Sequence, residues 1–102
     1  MKLNQHRNIN LELLIKGCRE NDMASQEQVY KLFYGYAMSV CLRYVSNTED
    51  AKEYLNNAFL KAFNKIHSIK NPNSFKSWFR SILVNSLIDG LRSEKQTKIS
   101  FK

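Results

Sequence analysis

Residues that force turns are scarce in this chain, with three glycines and one proline among its 102 residues. A domain built from strands needs a turn about every 8–12 residues, and glycine and proline supply many of these turns. The composition therefore predicts an all-α fold made of long helices. At this length the helices form one domain around a single core, and the apolar fraction of 43% is typical of a folded protein.

Positive charge is concentrated in the second half of the chain. Residues 1–59 contain seven Lys or Arg and seven Asp or Glu, whereas residues 60–102 contain nine bases and two acids. The second half therefore accounts for the whole net charge of +7. Basic side chains bind phosphates with release of counterions, so this half predicts a nucleic-acid contact. The neutral half is left to complete the core or to hold a partner.

Apolar spacing predicts two helices in the first half of the chain. Asn10 caps the first, which is short and ends before residues 21–22. The second begins with the capping box Ser25–Gln28 and runs to residues 46–47, with Gly35 inside it at a place of close helix packing. Their apolar stripes contain Leu11, Leu14, Ile15 and Cys18 in the first helix and Val29, Leu32, Phe33, Tyr36, Ala37, Val40, Cys41 and Tyr44 in the second.

Two further helices are predicted in the second half, separated by a loop over residues 67–73. Thr48 caps the third helix, and Ser74 caps the fourth, which runs to about Arg92 with Gly90 loosening its end. Residues 95–102 are expected to fray. The apolar stripes contain Ala51, Leu55, Ala58, Phe59, Ala62, Phe63 and Ile66 in the third helix and Phe75, Trp78, Phe79, Ile82, Leu83, Ser86 and Leu87 in the fourth.

These elements predict a compact bundle of three long helices plus a short N-terminal helix. Side chains from the last three helices are expected to form its core. They are Phe33, Tyr36, Val40, Phe59, Phe63, Trp78 and Ile82. Cys18 and Cys41 lie on apolar stripes and are expected to be reduced thiols in the core.

The chain lacks the motifs that carry catalysis. It contains no glycine-rich phosphate loop, no histidine-rich metal motif and no nucleophile elbow, and its cysteines and histidines have no zinc-like spacing. We therefore expect no enzyme activity, no bound metal and no cofactor. No apolar run approaches the roughly 20 residues of a membrane span, and no signal peptide opens the chain, so a cytoplasmic location is expected.

The fourth helix and the loop before it have the composition of a nucleic-acid contact. Aromatic and basic residues alternate along the helix, and single strands bind such surfaces through stacked bases and paired phosphates. Lys76 and Arg80 are four residues apart and should project together into solvent, whereas most of the aromatic residues belong to the core. The polar loop precedes a helix N-terminus, where a phosphate or an extruded base fits. The residues alone leave open whether the loop binds anything.

Residues 43–45 with residues 50–63, and residues 74–92, carry two motifs in a characteristic order. The second motif combines Trp78, Asn85, Asp89 and Arg92. Together the motifs resemble bacterial sigma-70 family RNA polymerase sigma factors of the extracytoplasmic-function class. The resemblance covers roughly residues 11–95 and implies their region 2 domain, an all-α bundle.

The resemblance implies a function in transcription initiation, with core RNA polymerase and promoter DNA as partners. The start of the third helix is implied to bind the clamp helices of the β′ subunit through Asp50, Glu53, Asn56 and Asn57. The loop over residues 67–74 is implied to capture a flipped base of the non-template strand while the promoter minus-ten element opens. The implied DNA-binding residues are Lys70, Asn71, Asn73, Ser74, Lys76, Arg80, Asn85 and Arg92.

The chain departs from the family's pattern in sequence and in length. Glu53 and Asn56 replace the usual aspartate and glutamine, which changes each side chain by one methylene, and Val84 stands where arginine is common. Residues 1–95 are interpreted as region 2 and residues 96–102 as the start of a basic linker. Region 4, the helix-turn-helix domain of such factors, is absent, so an isolated or truncated domain is expected. An anti-sigma factor is a further partner that the family implies.

Two other functions stay open on the sequence. One is a helical nucleic-acid-binding module that acts without polymerase. The other is a protein-interaction bundle whose basic face only keeps it in solution. Binding to a clamp-helix fragment would separate the first function from these two. The sequence indicates neither the promoters nor the inducing stimulus.

Overall fold

The computed structural model describes residues 10–100, with side chains described for residues 10–93. This part of the chain contains four α-helices and no strand, which confirms the predicted all-α bundle. The helices are α1 (Leu11–Arg19), α2 (Met23–Cys41), α3 (Thr48–Asn64) and α4 (Phe75–Ser100). Two 3₁₀ turns, Ile66–Ser68 and Pro72–Ser74, connect α3 to α4. Within the described residues, none of the helices is long and apolar enough to cross a membrane.

Helix α1 begins as predicted, with Oδ1 of Asn10 accepting a hydrogen bond from a backbone N–H of the first turn. The prediction that Ser25–Gln28 opens α2 is wrong, because the helix begins before Ser25. Asn21 has a left-handed φ of 62°, which turns the chain and brings Asp22 into the capping position. The Asp22 carboxylate accepts hydrogen bonds from the Ser25 hydroxyl at 2.6 Å and from its N–H at 3.2 Å. These bonds lower the pKa of Asp22.

The connection from α2 to α3 also differs from its prediction. Asn47, rather than Thr48, caps α3, and its Oδ1 accepts a hydrogen bond from the Asp50 N–H at 2.8 Å. The prediction that α2 reaches Asn47 is wrong, since the helix ends at Cys41. The Tyr44 N–H donates to the Cys41 carbonyl at 2.9 Å and closes a turn there, so Tyr44 lies outside the helix.

Helix α4 is longer than predicted. It continues past Arg92 to Ser100, so the expected fraying from Lys95 is not found as far as Ser100. The residues after Gly90 include good helix formers and no proline, which explains why nothing stops the helix there. The expected linker over residues 96–102 therefore begins as helix. Residues 1–9 and 101–102 lie outside the described part of the chain.

Two glycines, Gly17 and Gly90, allow close helix contacts. The sequence predicted close packing at Gly35 instead. A Cβ atom at Gly17 would collide with the side chain of Ser25, so glycine lets α1 approach α2. A Cβ atom at Gly90 would collide with the Tyr54 ring, so Gly90 admits α3 rather than loosening α4. Gly35 has no packing role, because its added Cβ would meet nothing within 4 Å.

Three phenylalanines from α3 and α4 form the centre of the core. The Phe79 ring stacks on Phe59 at a centroid distance of 4.5 Å and on Phe75 at 5.5 Å, and all three are buried. Among the predicted core residues, Val40 is buried as well. The others are only partly buried, and they are Phe33, Tyr36, Phe63, Trp78 and Ile82.

Trp78 and Ile82 were predicted in the core, and both pack against it while being only partly buried. The buried apolar positions of α4 recur every four residues along one face of the helix. They are Phe75, Phe79, Leu83 and Leu87. Trp78 and Ile82 lie at the edge of this face, so Phe79 takes the central position.

Candidate nucleic-acid and protein interfaces

The loop between α3 and α4 is anchored in the core by two buried isoleucines. Ile66 and Ile69 are buried, as is Phe75 at the start of α4. The remaining loop side chains face solvent. They are Lys65, His67, Ser68, Lys70, Asn71, Asn73 and Ser74, with Pro72 partly buried. The structure thus brings the predicted DNA-binding residues of the loop together on one exposed segment.

Asn71 organises the second half of the loop. Its Oδ1 accepts a hydrogen bond from the Asn73 N–H at 3.0 Å, and its carbonyl accepts one from the Ser74 N–H at 2.8 Å. Pro72 fits the first position of this turn because it has no N–H to satisfy. Asn71 caps the 3₁₀ turn Pro72–Ser74, and Ser74 directly precedes α4, so the capping of α4 by Ser74 stays a prediction. The side chains of Asn73 and Ser74 stay exposed to solvent.

Arg19, at the end of α1, ties down the first half of the loop. Its Nη2 donates to the Ile69 carbonyl at 2.5 Å, and its Nε donates to the Ile66 carbonyl at 3.5 Å. The side chain is partly buried between α1 and the loop. Sequence reasoning missed this contact because its partners lie 47 and 50 residues away, where no local spacing relates them.

The polar residues predicted on α4 are all exposed. Lys76 and Arg80 lie one turn apart near the loop, and Asn85 and Arg92 lie further along the helix. The Lys76 ammonium stands 4.6 Å from the centroid of the Tyr36 ring, a cation–π contact that joins α4 to α2. The predicted pair therefore projects into solvent beside the loop, with the direction of Lys76 set by an aromatic ring.

A groove between α3 and α4 adds two bases, Lys61 and Lys65, to the basic surface. Lys61 and Lys65 line this groove of about 270 Å³, opposite Asn85 and Asp89. The Lys61 ammonium donates to the buried Ser86 hydroxyl at 3.1 Å. The basic surface is thus wider than α4 alone and extends across to α3.

The residues predicted to bind polymerase lie on α3 and are exposed, but they do not form one cluster. Asp50, Glu53 and Asn57 share a shallow pocket of about 260 Å³ with Val45 and Tyr54. Their spacing of three and four residues places them on one face of the helix.

Asn56 lies apart from that pocket. Its Oδ1 accepts a hydrogen bond from the Tyr30 hydroxyl at 2.7 Å, so it contacts α2. Partial burial, with a smaller effect of Tyr34, raises the pKa of Tyr30.

The titratable side chains of residues 10–93 form no metal cluster, and the two cysteines are buried. Within the described residues, no three His, Cys, Asp or Glu side chains come close enough together to hold a metal ion. Cys18 and Cys41 are buried and unbonded, as predicted. Burial, helped by Asp22, raises the pKa of Cys18 to about 11, and burial raises the pKa of Cys41 to about 11. Both stay protonated at neutral pH and belong to the core.

Comparison with known proteins finds one family and two curated bacterial relatives. The family described as Sigma-70 region 2 matches residues 29–97. The RNA polymerase sigma factor SigV of Bacillus subtilis is 37% identical over 67 residues, which cover 66% of this chain and 38% of that protein. The ECF RNA polymerase sigma factor SigW of the same organism is 25% identical over 81 residues, which cover 79% of this chain and 43% of that protein. The chain thus spans less than half the length of either relative.

No solved structure gives a significant match to the chain. The family match begins inside α2 and ends within α4, so it includes the loop and the exposed start of α3. Helix α1 precedes the matched residues, although it packs on the same loop.

Proposed function

Because the chain belongs to the Sigma-70 region 2 family, we propose that it acts in transcription initiation as the part of a sigma factor that joins core polymerase to the promoter. In this role it binds the clamp helices of the β′ subunit and holds the non-template strand of an opened minus-ten element. The polymerase supplies the chemistry, so the chain needs no catalytic residue or cofactor of its own. The work takes place in the cytoplasm, with the polymerase.

The loop between α3 and α4 carries the DNA part of this proposal. It is a polar, exposed segment that is fixed at both ends by buried side chains and internally by Asn71. A preorganised loop loses little conformational entropy when it receives a base. Lys76 and Arg80 lie beside it, where they can bind the flanking phosphates. Base contacts from the loop then specify the sequence, and the phosphate contacts position the strand.

The exposed start of α3 supports the polymerase part. Asp50, Glu53 and Asn57 are exposed and line a pocket that lies outside the core. Acidic and amide side chains next to an apolar wall can dock a partner helix through hydrogen bonds and packing. The residues at the start of α3 and those of the loop with Lys76 and Arg80 are separate sets, so polymerase and DNA can be bound by different side chains. An anti-sigma factor would act by covering one of them.

One set of titrations separates the proposed function from its two alternatives. The chain is titrated with a β′ clamp-helix fragment, with a single-stranded minus-ten oligonucleotide and with the matching duplex. Binding of the fragment together with preference for the single strand is the expected result. Binding of nucleic acid without the fragment would favour a module that acts without polymerase. Binding of neither nucleic acid would favour a protein-interaction bundle, and either of these results would overturn the proposal.

A further inference from the structure

Arg19 is held in one place by the packing of its own helix. Leu14, Ile15 and Cys18 of α1 are buried, and Gly17 brings α1 into close contact with α2. The Arg19 backbone therefore has little freedom. Its guanidinium extends from this fixed position to the loop between α3 and α4.

The two carbonyls that Arg19 binds enclose the first 3₁₀ turn of the loop. The Ile66 carbonyl belongs to the first residue of the turn, and the Ile69 carbonyl follows its last residue. A guanidinium is a planar fork that stays charged, so it can hold two acceptors in one relative orientation. Hydrogen bonds to a charged donor are also stronger than neutral ones. With both carbonyls held and both isoleucine side chains buried, the turn must present His67 and Ser68 to solvent.

The contact comes from outside the segment that defines the family. The matched residues are 29–97, and α1 ends at Arg19. Binding sites are accurate when surrounding contacts lock the residues that touch the ligand. We propose that Arg19 is a positioning residue: by fixing the Ile66 and Ile69 carbonyls it holds the loop in the shape that selects a promoter base. This inference rests on the proposed function, and Arg19 acts through the loop rather than on DNA.

Three variants of the full chain test this role. Arg19→Met removes both hydrogen bonds and keeps a long side chain, whereas Arg19→Lys keeps the charge but loses the fork. Lys16→Met is the matched control, because it removes one exposed positive charge from the same helix. Each protein is combined with core polymerase and a library of single-stranded oligonucleotides randomised over the minus-ten segment. The bound pool is then sequenced.

A second readout reports on the loop without DNA. The amides of Ser68 and Ile69 donate within the first turn, to the carbonyls of Lys65 and Ile66. Their hydrogen exchange is compared with that of core amides in α3. Arg19→Met should speed exchange at these two amides about tenfold or more, because a hydrogen bond to a charged group is lost. The core amides should be unaffected.

The expected result is a loss of sequence preference with retained binding to polymerase. Arg19→Met should reduce the enrichment of the preferred sequence about fivefold or more, similar to one mismatched position. Arg19→Lys should show a smaller loss in the same direction, and it keeps the test available if Arg19→Met does not fold. Lys16→Met should enrich the same DNA sequence as the wild-type protein.

Three other results would overturn the inference, and they differ in what else they exclude. Wild-type enrichment that both folded Arg19 variants retain would show that Arg19 has no such role, and the proposed function would stand. Absence of any enrichment by the wild-type chain would contradict the proposed function itself. An equal loss in Lys16→Met would attribute the effect to charge rather than to the held carbonyls.

Discussion

Lys76 and Arg80 lie one helical turn apart on α4, and Tyr36 sets the direction of the first. A cation over an aromatic ring at an exposed site gains about 0.5–1 kcal/mol, enough to favour one rotamer of a long side chain. The Lys76 side chain remains exposed there. Tyr36 therefore orients Lys76 beside the loop.

Replacing both bases should weaken DNA binding without changing which sequence is preferred. Lys76→Ala with Arg80→Ala removes two phosphate contacts, so affinity for single-stranded DNA should fall by a similar factor for all sequences. The dependence of binding on salt should become shallower, because fewer counterions are released. Fluorescence anisotropy at several salt concentrations measures both effects. Arg43→Ala with Lys52→Ala removes the same charge from exposed sites in the neutral half. An equal loss of DNA affinity in this control would contradict the assignment of Lys76 and Arg80 as phosphate contacts.

Phe79 should matter more than Trp78 for stability, although tryptophan is the larger side chain. Phe79 is fully buried between Phe59 and Phe75, whereas Trp78 is only partly buried. Phe79→Ala should cost about 3–5 kcal/mol of unfolding free energy, as is usual for a buried aromatic residue. Trp78→Ala should cost less. Urea unfolding followed by circular dichroism compares the two, and a larger loss in Trp78→Ala would place the centre of the core elsewhere.

At the scale of helices, local patterns in the sequence predict more than long-range contacts do. Apolar spacing predicts all four helices and the buried stripe of α3. The cap of α2 was missed because a left-handed turn at Asn21 places Asp22 at the capping position. The end of α4 was missed because Gly90 allows close packing against Tyr54 and does not end the helix. The bond from Arg19 to the loop leaves no trace in local spacing, since it depends on how α1 packs in three dimensions.

The same substitution should have opposite effects in α1 and α2. Alanine favours a helix over glycine by about 1 kcal/mol, so Gly35→Ala should stabilise the fold by up to that amount, because its Cβ would meet nothing. Gly17→Ala gains the same helix preference, but its Cβ would collide with Ser25 and separate α1 from α2. We expect a net loss of about 1–3 kcal/mol, as for other overpacked sites. Thermal unfolding of both variants provides the comparison, and stabilisation by Gly17→Ala would contradict the close crossing.

Across the whole molecule, the two proposed surfaces use different parts of the charge pattern. The start of α3 belongs to the half of the chain that is neutral overall, and the loop and α4 belong to the half that holds the full charge of +7. In the proposed function, DNA attraction is directed to the second half of the chain, and the pocket of Asp50, Glu53 and Asn57 is left for a protein helix. Screening by salt should weaken the DNA contact more strongly than the protein contact.

Because both proposed surfaces belong to one domain, binding to polymerase should raise its affinity for promoter DNA. A strand already held by core polymerase meets the loop at a high effective concentration, so the chain and core together should bind a forked minus-ten DNA about a hundredfold or more tighter than the chain alone. Glu53→Gln should reduce this gain and leave the affinity of the free chain for DNA unchanged, since Glu53 is exposed and distant from the loop in sequence. Glu12→Gln makes the same charge change at an exposed site on α1 and should keep the gain. Competition assays with and without core polymerase measure the affinity of each variant for the forked DNA. Core polymerase alone is the reference. If Glu53→Gln kept the full gain while folded, the polymerase contact would have to lie outside the start of α3.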